Sequence, residues 1–207
     1  GNLSAQETPK ARNPRGSAQS TVEANFNRAY CSEVNAAMSS APPEMKYRQI
    51  DRITSIEPGK RLTAERTLRA EEEYLKDHFP RFPVMPGVMM LEALHQAAVW
   101  LVRSDDEFQT PLVLLRETRS VKFGDFLAPG ETLQITLDMV KQAGMKTTVK
   151  ASATKQGRVT VSARLILERC WTGDPEHFGT DEKVLESTKQ QFQQLTKQLT
   201  GHVASSD

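Results

Sequence analysis

The chain has 207 residues, 38% of them hydrophobic and 26% charged, enough apolar material for one buried core with extensions. Its 27 basic and 26 acidic side chains leave a formal net charge of +1, too balanced for a protein that binds nucleic acid over its whole surface. The two cysteines, Cys31 and Cys170, lie far apart, which excludes a disulfide framework or a cysteine-based metal site and suits reduced thiols in a cytoplasmic protein.

Residues 1–21 are rich in Ser, Ala, Pro, Asn and Arg and read as a disordered arm without the apolar segment of a secretory signal. Val22, Phe26, Tyr30, Val34 and Met38 recur every fourth residue, which predicts an amphipathic helix within an N-terminal extension, 22–43. The stretch Ser39-Ser40-Ala41-Pro42-Pro43-Glu44 ends it. Two strand-like segments follow, Tyr47–Ile56 and Arg61–Arg69, joined by the turn Glu57-Pro58-Gly59-Lys60.

Val88–Val102 runs without Gly or Pro and is apolar on every side, which predicts a buried helix of roughly 22 Å. From there the period changes to two. Leu112–Phe126 reads as one long strand or two broken ones. The sets Leu133, Ile135, Leu137, Met139; Thr147, Val149, Ala151, Ala153; and Val159, Val161, Ala163, Leu165, Leu167 alternate with polar residues between turns. That pattern predicts an antiparallel meander with one buried face, and with the helix it makes an α+β domain spanning 44–170. A C-terminal segment, 171–207, opens as a loop and continues as an amphipathic helix through Val184, Leu185, Thr188, Phe192, Leu195 and Leu199. No run of about 18 or more apolar residues occurs, so no membrane span is expected.

The chemistry concentrates in residues 76–98, KDHFPRFPVMPGVMMLEALHQAA. Glu92 stands inside the most apolar segment of the chain, where burial raises a carboxyl's proton affinity. It reads as a proton donor or as a charge with a dedicated partner. The plain alternative is a Glu that points into a solvated groove at the sheet edge or pairs with an Arg. His78 lies in a loop stiffened by Pro80, Pro83 and Pro86, and histidine titrates closest to neutrality. The helix start at Gly87 and Val88 offers unpaired N–H groups to a developing oxyanion. These parts suit removal of a proton next to a carbonyl with expulsion of a group β to it.

The same residues carry a resemblance. His78-Phe79-Pro80, Pro83-Val84-Met85-Pro86-Gly87-Val88, Glu92-Ala93-Leu94 and Gln96-Ala97-Ala98 resemble the signature of the 3-hydroxyacyl-[acyl-carrier-protein] dehydratases of FabZ type, which have the hotdog fold. Ile50-Asp51-Arg52-Ile53, Ile56-Glu57-Pro58-Gly59-Lys60, Val121-Lys122-Phe123 and Pro129-Gly130-Glu131-Thr132-Leu133 extend it over about 44–168.

The resemblance implies a single hotdog domain whose sheet wraps the central helix, with His78 as base and Glu92 as the acid for the departing hydroxyl. It implies that Gly87, with Val88, binds the thioester carbonyl. Phe79, Val84, Val88, Met89 and Gln96 are candidate lining for an acyl tunnel. The unit would be a homodimer, in larger form a trimer of dimers, with each site pairing His78 of one subunit with Glu92 of the other. No metal or organic cofactor is implied. The partner would be an acyl carrier protein, acidic and bearing the acyl group on phosphopantetheine, so Lys76, Arg81, Arg116, Arg119 and Lys122 are candidate docking residues.

The departures are Arg81 after His-Phe-Pro, His95 at a usually small position, the stretch PPEMKYRQID before the first strand, and both terminal extensions. Two alternatives share the fold class: an acyl-thioesterase, and a non-catalytic acyl-binding or scaffold protein. Glu92-x-x-His95 also matches half of a di-iron motif, but those bundles need two such helices, so no metal is expected. His177 and His202 receive no role, and Met85, Met89 and Met90 read as packing.

Overall fold

The computed structural model describes residues 48–79, 81–171 and 178–200. The predicted arm and helix within 1–43 lie outside the described residues. Strands β1 (Arg52–Glu57) and β2 (Arg61–Thr67) form the predicted hairpin. Its turn is closed by the Lys60 N–H donating to the Glu57 carbonyl at 3.0 Å. Gly59 there has φ +70°, and a Cβ on it would lie 2.5 Å from Asp105 Oδ1, so both the turn and the close approach require glycine.

A 3-10 turn, Glu73–Lys76, precedes helix α1 (Gly87–Asp105), which runs three residues beyond the predicted end. Strands β3 (Leu112–Phe123), β4 (Thr132–Ala143), β5 (Lys146–Lys155) and β6 (Arg158–Cys170) follow. All pairings are antiparallel, and the sheet order is β1-β2-β4-β5-β6-β3. The β5–β6 hairpin turns on Gln156 and Gly157, both with positive φ (49° and 80°), as a two-residue turn matched to strand twist requires. Strand β3 is one strand with two register shifts, at Leu115/Glu117 and Arg119/Lys122.

Period-two alternation puts Leu133, Ile135 and Leu137, then Val149, Ala151 and Ala153, then Val161, Ala163, Leu165 and Leu167 on one buried face. Helix α1 packs on that face and touches β2 through β6. Small side chains meet there: Ala93, Ala97 and Ala98 on the helix, Ala64, Ala151, Ala153 and Ala163 on the strands. Helix and sheet can therefore approach closely, and the arrangement is the single hotdog domain of the sequence reading. The helix is not buried all round, because Val88 is exposed and Glu92, His95 and Val99 are partly so.

Helix α2 (Phe178–Thr200) packs against β1 and the far end of α1. Val184, Thr188 and Leu195 are buried on one face. Phe192 lies 5.9 Å from the Trp100 ring and 4.9 Å from Phe108, and Arg52 donates to Gln198 at 2.7 Å. Removing the Phe192 ring should therefore loosen α2 without reaching the start of α1. Phe192→Ala is expected to lower unfolding free energy by about 2 kcal/mol in a urea titration followed by Trp fluorescence, less than a fully buried Phe because the side chain is only partly buried.

Candidate functional site

The loop carrying His78 is fastened at both ends. Leu75 in the 3-10 turn and Val84 and Met85 after the loop are buried. The His78 N–H donates to the Tyr74 carbonyl at 3.2 Å, the Phe82 N–H to the Phe79 carbonyl at 2.8 Å, and the Met85 N–H to the Leu127 carbonyl at 2.8 Å. Phe79 sits at φ 54°, uncommon for a bulky residue, and its ring meets the His78 imidazole edge-on at 4.5 Å.

Pro86 caps α1 and accepts from the Met89 and Met90 N–H groups at 2.9 and 3.3 Å. The N–H groups of Gly87 and Val88, in the first turn, have no intrahelical acceptor and stand at the positive end of the helix dipole. A Cβ on Gly87 would lie 3.1–3.4 Å from atoms of the Phe123 ring. Glycine here lets the Phe123 ring, rather than only a ligand, come close to the helix start.

Glu92 is one turn further on, and its side chain is 38% exposed. Both carboxylate oxygens are engaged: Oε1 accepts from Gln96 Nε2 at 2.9 Å, and Oε2 faces His95 Nδ1 at 3.1 Å. Burial raises the Glu92 pKa, but the hydrogen bonds from His95 and Gln96 lower it and together outweigh burial, so the carboxyl is held below the ordinary 4.5. Of the two readings the sequence leaves open, the free chain has the second. Glu92 in the free chain is a charge with dedicated partners.

These partners continue into the body of the protein. Gln96 Oε1 accepts from the Gln49 N–H at 2.8 Å, and Gln49 Oε1 from Arg66 Nε at 3.1 Å. The Arg66 side chain is 3% exposed, pairs with Glu72 and with Asp51, and donates to the Thr67 carbonyl at 2.8 Å. Asp51 also accepts from the Thr67 N–H at 2.7 Å. Glu72 immediately precedes the 3-10 turn, so the chain of bonds runs from the Glu92 carboxylate to the base of the His78 loop. Sequence reasoning missed Gln49, Arg66 and Glu72. The signal was the alternation Leu62, Ala64, Arg66, which puts a guanidinium on the core side of β2 where it needs acidic partners.

Among the described residues, no hydrogen bond joins His78 to Glu92. Around the start of α1 lies a set of exposed apolar side chains: Phe79, Phe82, Val88, Phe123 and Phe126, with Phe82 and Phe126 edge-to-face at 6.3 Å. Of the tunnel candidates, Phe79 is exposed, Met89 is partly buried, Val84 is fastened in the core and Gln96 holds Glu92. Of the docking candidates, Lys76, Arg81 and Lys122 are exposed, whereas Arg116 pairs with Glu168 at 2.6 Å and Arg119 with Glu117 at 2.6 Å. The described residues gather no group of three or more His, Cys, Asp or Glu side chains that could hold a metal. No described helix is long and apolar enough to cross a membrane.

Comparison with known proteins places this arrangement. The FabA-like domain model matches residues 41–168. A 3-hydroxyacyl-[acyl-carrier-protein] dehydratase FabZ of Clostridium botulinum is 31% identical over 134 residues, 65% of this chain and 93% of that protein. One of the same name from Levilactobacillus brevis is 36% identical over 116 residues, 56% of this chain and 78% of that protein. Among solved structures, the dehydratase heterocomplex ApeI:P from Xenorhabdus doucetiae aligns with TM-score 0.52 at 18% identity, covering 62% of this chain and 86% of that one, a likeness of fold.

The hydrogen bonds to Glu92 make a pH prediction. A carboxyl whose folded pKa is depressed contributes stability that is fully present above the unfolded value and is lost as pH falls through the folded one. In a carbon-13 NMR titration, Glu92 should have a midpoint below 4.5, and Gln96→Leu should move it upward. A midpoint above 4.5 in the wild type would contradict the hydrogen-bonding account.

Proposed function

The chain belongs to the family of FabA-like domain proteins, and on that premise we propose that it is a hydro-lyase of fatty-acid or related lipid synthesis. It removes water from (3R)-3-hydroxyacyl thioesters to give trans-2-enoyl thioesters, with the acyl group carried on the phosphopantetheine of an acyl carrier protein. The observations that support this most are three parts carried by every chain: a fastened His78 loop, two free N–H groups at the helix start, and a carboxylate with both oxygens held. The matched relatives carry the dehydratase name, and none of these observations favours the thioesterase or scaffold alternative.

In the proposed reaction the thioester carbonyl rests against the Gly87 N–H, with Val88 beside it. His78 removes a proton from Cα, and the N–H groups stabilise the enolate-like oxygen. The electron pair then forms the Cα=Cβ bond as the Cβ–O bond breaks, and the hydroxyl takes a proton from Glu92 and leaves as water. Substrate covering the site removes water from Glu92 and raises its proton affinity, against the pull of His95 and Gln96. Binding thereby moves a resting carboxylate toward the acid form that the step needs. Phe79 and Met89 border the path we assign to the acyl chain, and the exposed Lys76, Arg81 and Lys122 suit an acidic carrier.

The unit we propose is a homodimer in the cytoplasm. Within the chain His78 and Glu92 are not bonded to each other. Strand β3 pairs on one side only, and its residues Glu117–Ser120, Lys122 and Phe123 are exposed. An unpaired edge next to exposed aromatics is a surface that a second copy can extend and cover. The site then forms between copies, His78 from one and Glu92 from the other.

Hydration of crotonyl and longer enoyl thioesters, followed by loss of enoyl absorbance, tests the activity. His78→Ala and Glu92→Gln are each expected to lower kcat/KM by about 100-fold or more. Equal inactivity of wild type and His78→Ala across chain lengths would favour a binding role, and thiol release without enoyl change a thioesterase.

A further inference from the structure

His95 has no part in the reaction as drawn, yet it is built into the site. Three residues after Glu92, it lies on the same face of α1, with Nδ1 3.1 Å from Glu92 Oε2. Gln96, four residues after Glu92, takes the other oxygen at 2.9 Å. The backbone beneath this fork is rigid, because Ala93, Leu94 and Ala97 are fully buried against the sheet. The far nitrogen of the ring, Nε2, is buried and has no hydrogen-bond partner in the described chain.

This pairing assigns the tautomer. A carboxylate oxygen only accepts, so Nδ1 carries the ring proton that faces Glu92. In this form the imidazole is a fixed donor to Glu92.

We propose that His95 is a positioning residue for Glu92: with Gln96 it pins both oxygens, fixing the plane in which the carboxyl meets the leaving hydroxyl. With Gln96 alone, one oxygen is held and the carboxyl can swing about its remaining torsions. The metal reading of Glu92-x-x-His95 gains no support, since no third ligand joins the pair among the described residues. The inference rests on the dehydratase reading of the same site.

The test compares His95→Leu and His95→Asn, each in the wild-type and Glu92→Gln backgrounds, with enoyl-thioester hydration as readout. Asn places an amide N–H near the position of Nδ1. His95→Leu should lower kcat on the order of tenfold while KM stays within about twofold. His95→Asn should recover to within about threefold of wild type, and in the Glu92→Gln background His95→Leu should cost nothing further. Wild-type kcat in His95→Leu would overturn the proposal. So would His95→Asn as slow as His95→Leu, which would mean that the imidazole's own titration matters, or an equal loss in both backgrounds, which would mean a merely structural role.

The Glu92 carbon-13 titration separates this inference from the dehydratase reading, because it needs no turnover. His95→Leu should raise the midpoint and His95→Asn should keep it near wild type. Unchanged midpoints in both variants would refute the pairing even in an inactive protein. Should His95→Leu fail to fold, His95→Ala takes its place in both measurements.

Discussion

The close seating of α1 on the sheet is the constraint on which the rest of the molecule depends. It is possible because both sides of the interface contribute buried alanines, Ala93, Ala97 and Ala98 on the helix and Ala64, Ala151, Ala153 and Ala163 on the strands. A helix held that closely cannot roll, so the remaining face of α1, with Val88, Glu92, His95 and Val99, is left toward solvent. The same seating fixes the position of the helix start, with Gly87 against Phe123. Replacing several of these alanines by larger residues would overpack the interface and displace the site as a unit.

A second layer of order is electrostatic. A guanidinium as buried as that of Arg66 is costly unless each donor is matched, and Asp51, Glu72, Gln49 and the Thr67 carbonyl match it. The matching has a further result, since Gln49 and Gln96 extend the chain of bonds to Glu92 while Glu72 holds the turn before His78. One buried charge thus links the Glu92 carboxylate to the His78 loop within a single chain. If the sites form between copies, each chain's network touches the acid of one site and the base of the other.

Much of this was legible in the amino-acid order, and the reasons are physical. Strands β4, β5 and β6 declare themselves because one sheet face is buried and side chains alternate. The turns declare themselves where positive φ demands Gly59, Gly144 or Gly157. The long ordered motif from His78 to Ala98 carried the proposed chemistry. Less legible was anything decided by a distant partner. Strand β1 starts at Arg52 rather than Tyr47; before it, the Gln49 N–H is spent on Gln96 and the Asp51 carboxylate on Thr67. The register shifts of β3, with Ser120 at φ 52°, leave no mark in its residue pattern. The alternation Leu62, Ala64, Arg66 marks the core side of β2 but does not name the partners of Arg66, and the low proton affinity of Glu92 depends on the rotamers of His95 and Gln96, which spacing alone does not determine.

The central claim is that His78 and Glu92 act together across two copies joined near the open β3 edge. It is tested by co-expressing His78→Ala and Glu92→Gln chains and assaying enoyl-thioester hydration. In random pairing half of the dimers hold one chain of each kind, and each of those has one site with both residues intact, so activity should recover to about one quarter of wild type. If each site were built from a single chain, every site in the mixture would lack one of the two residues. Activity no greater than the sum of the two separate variants would contradict the account.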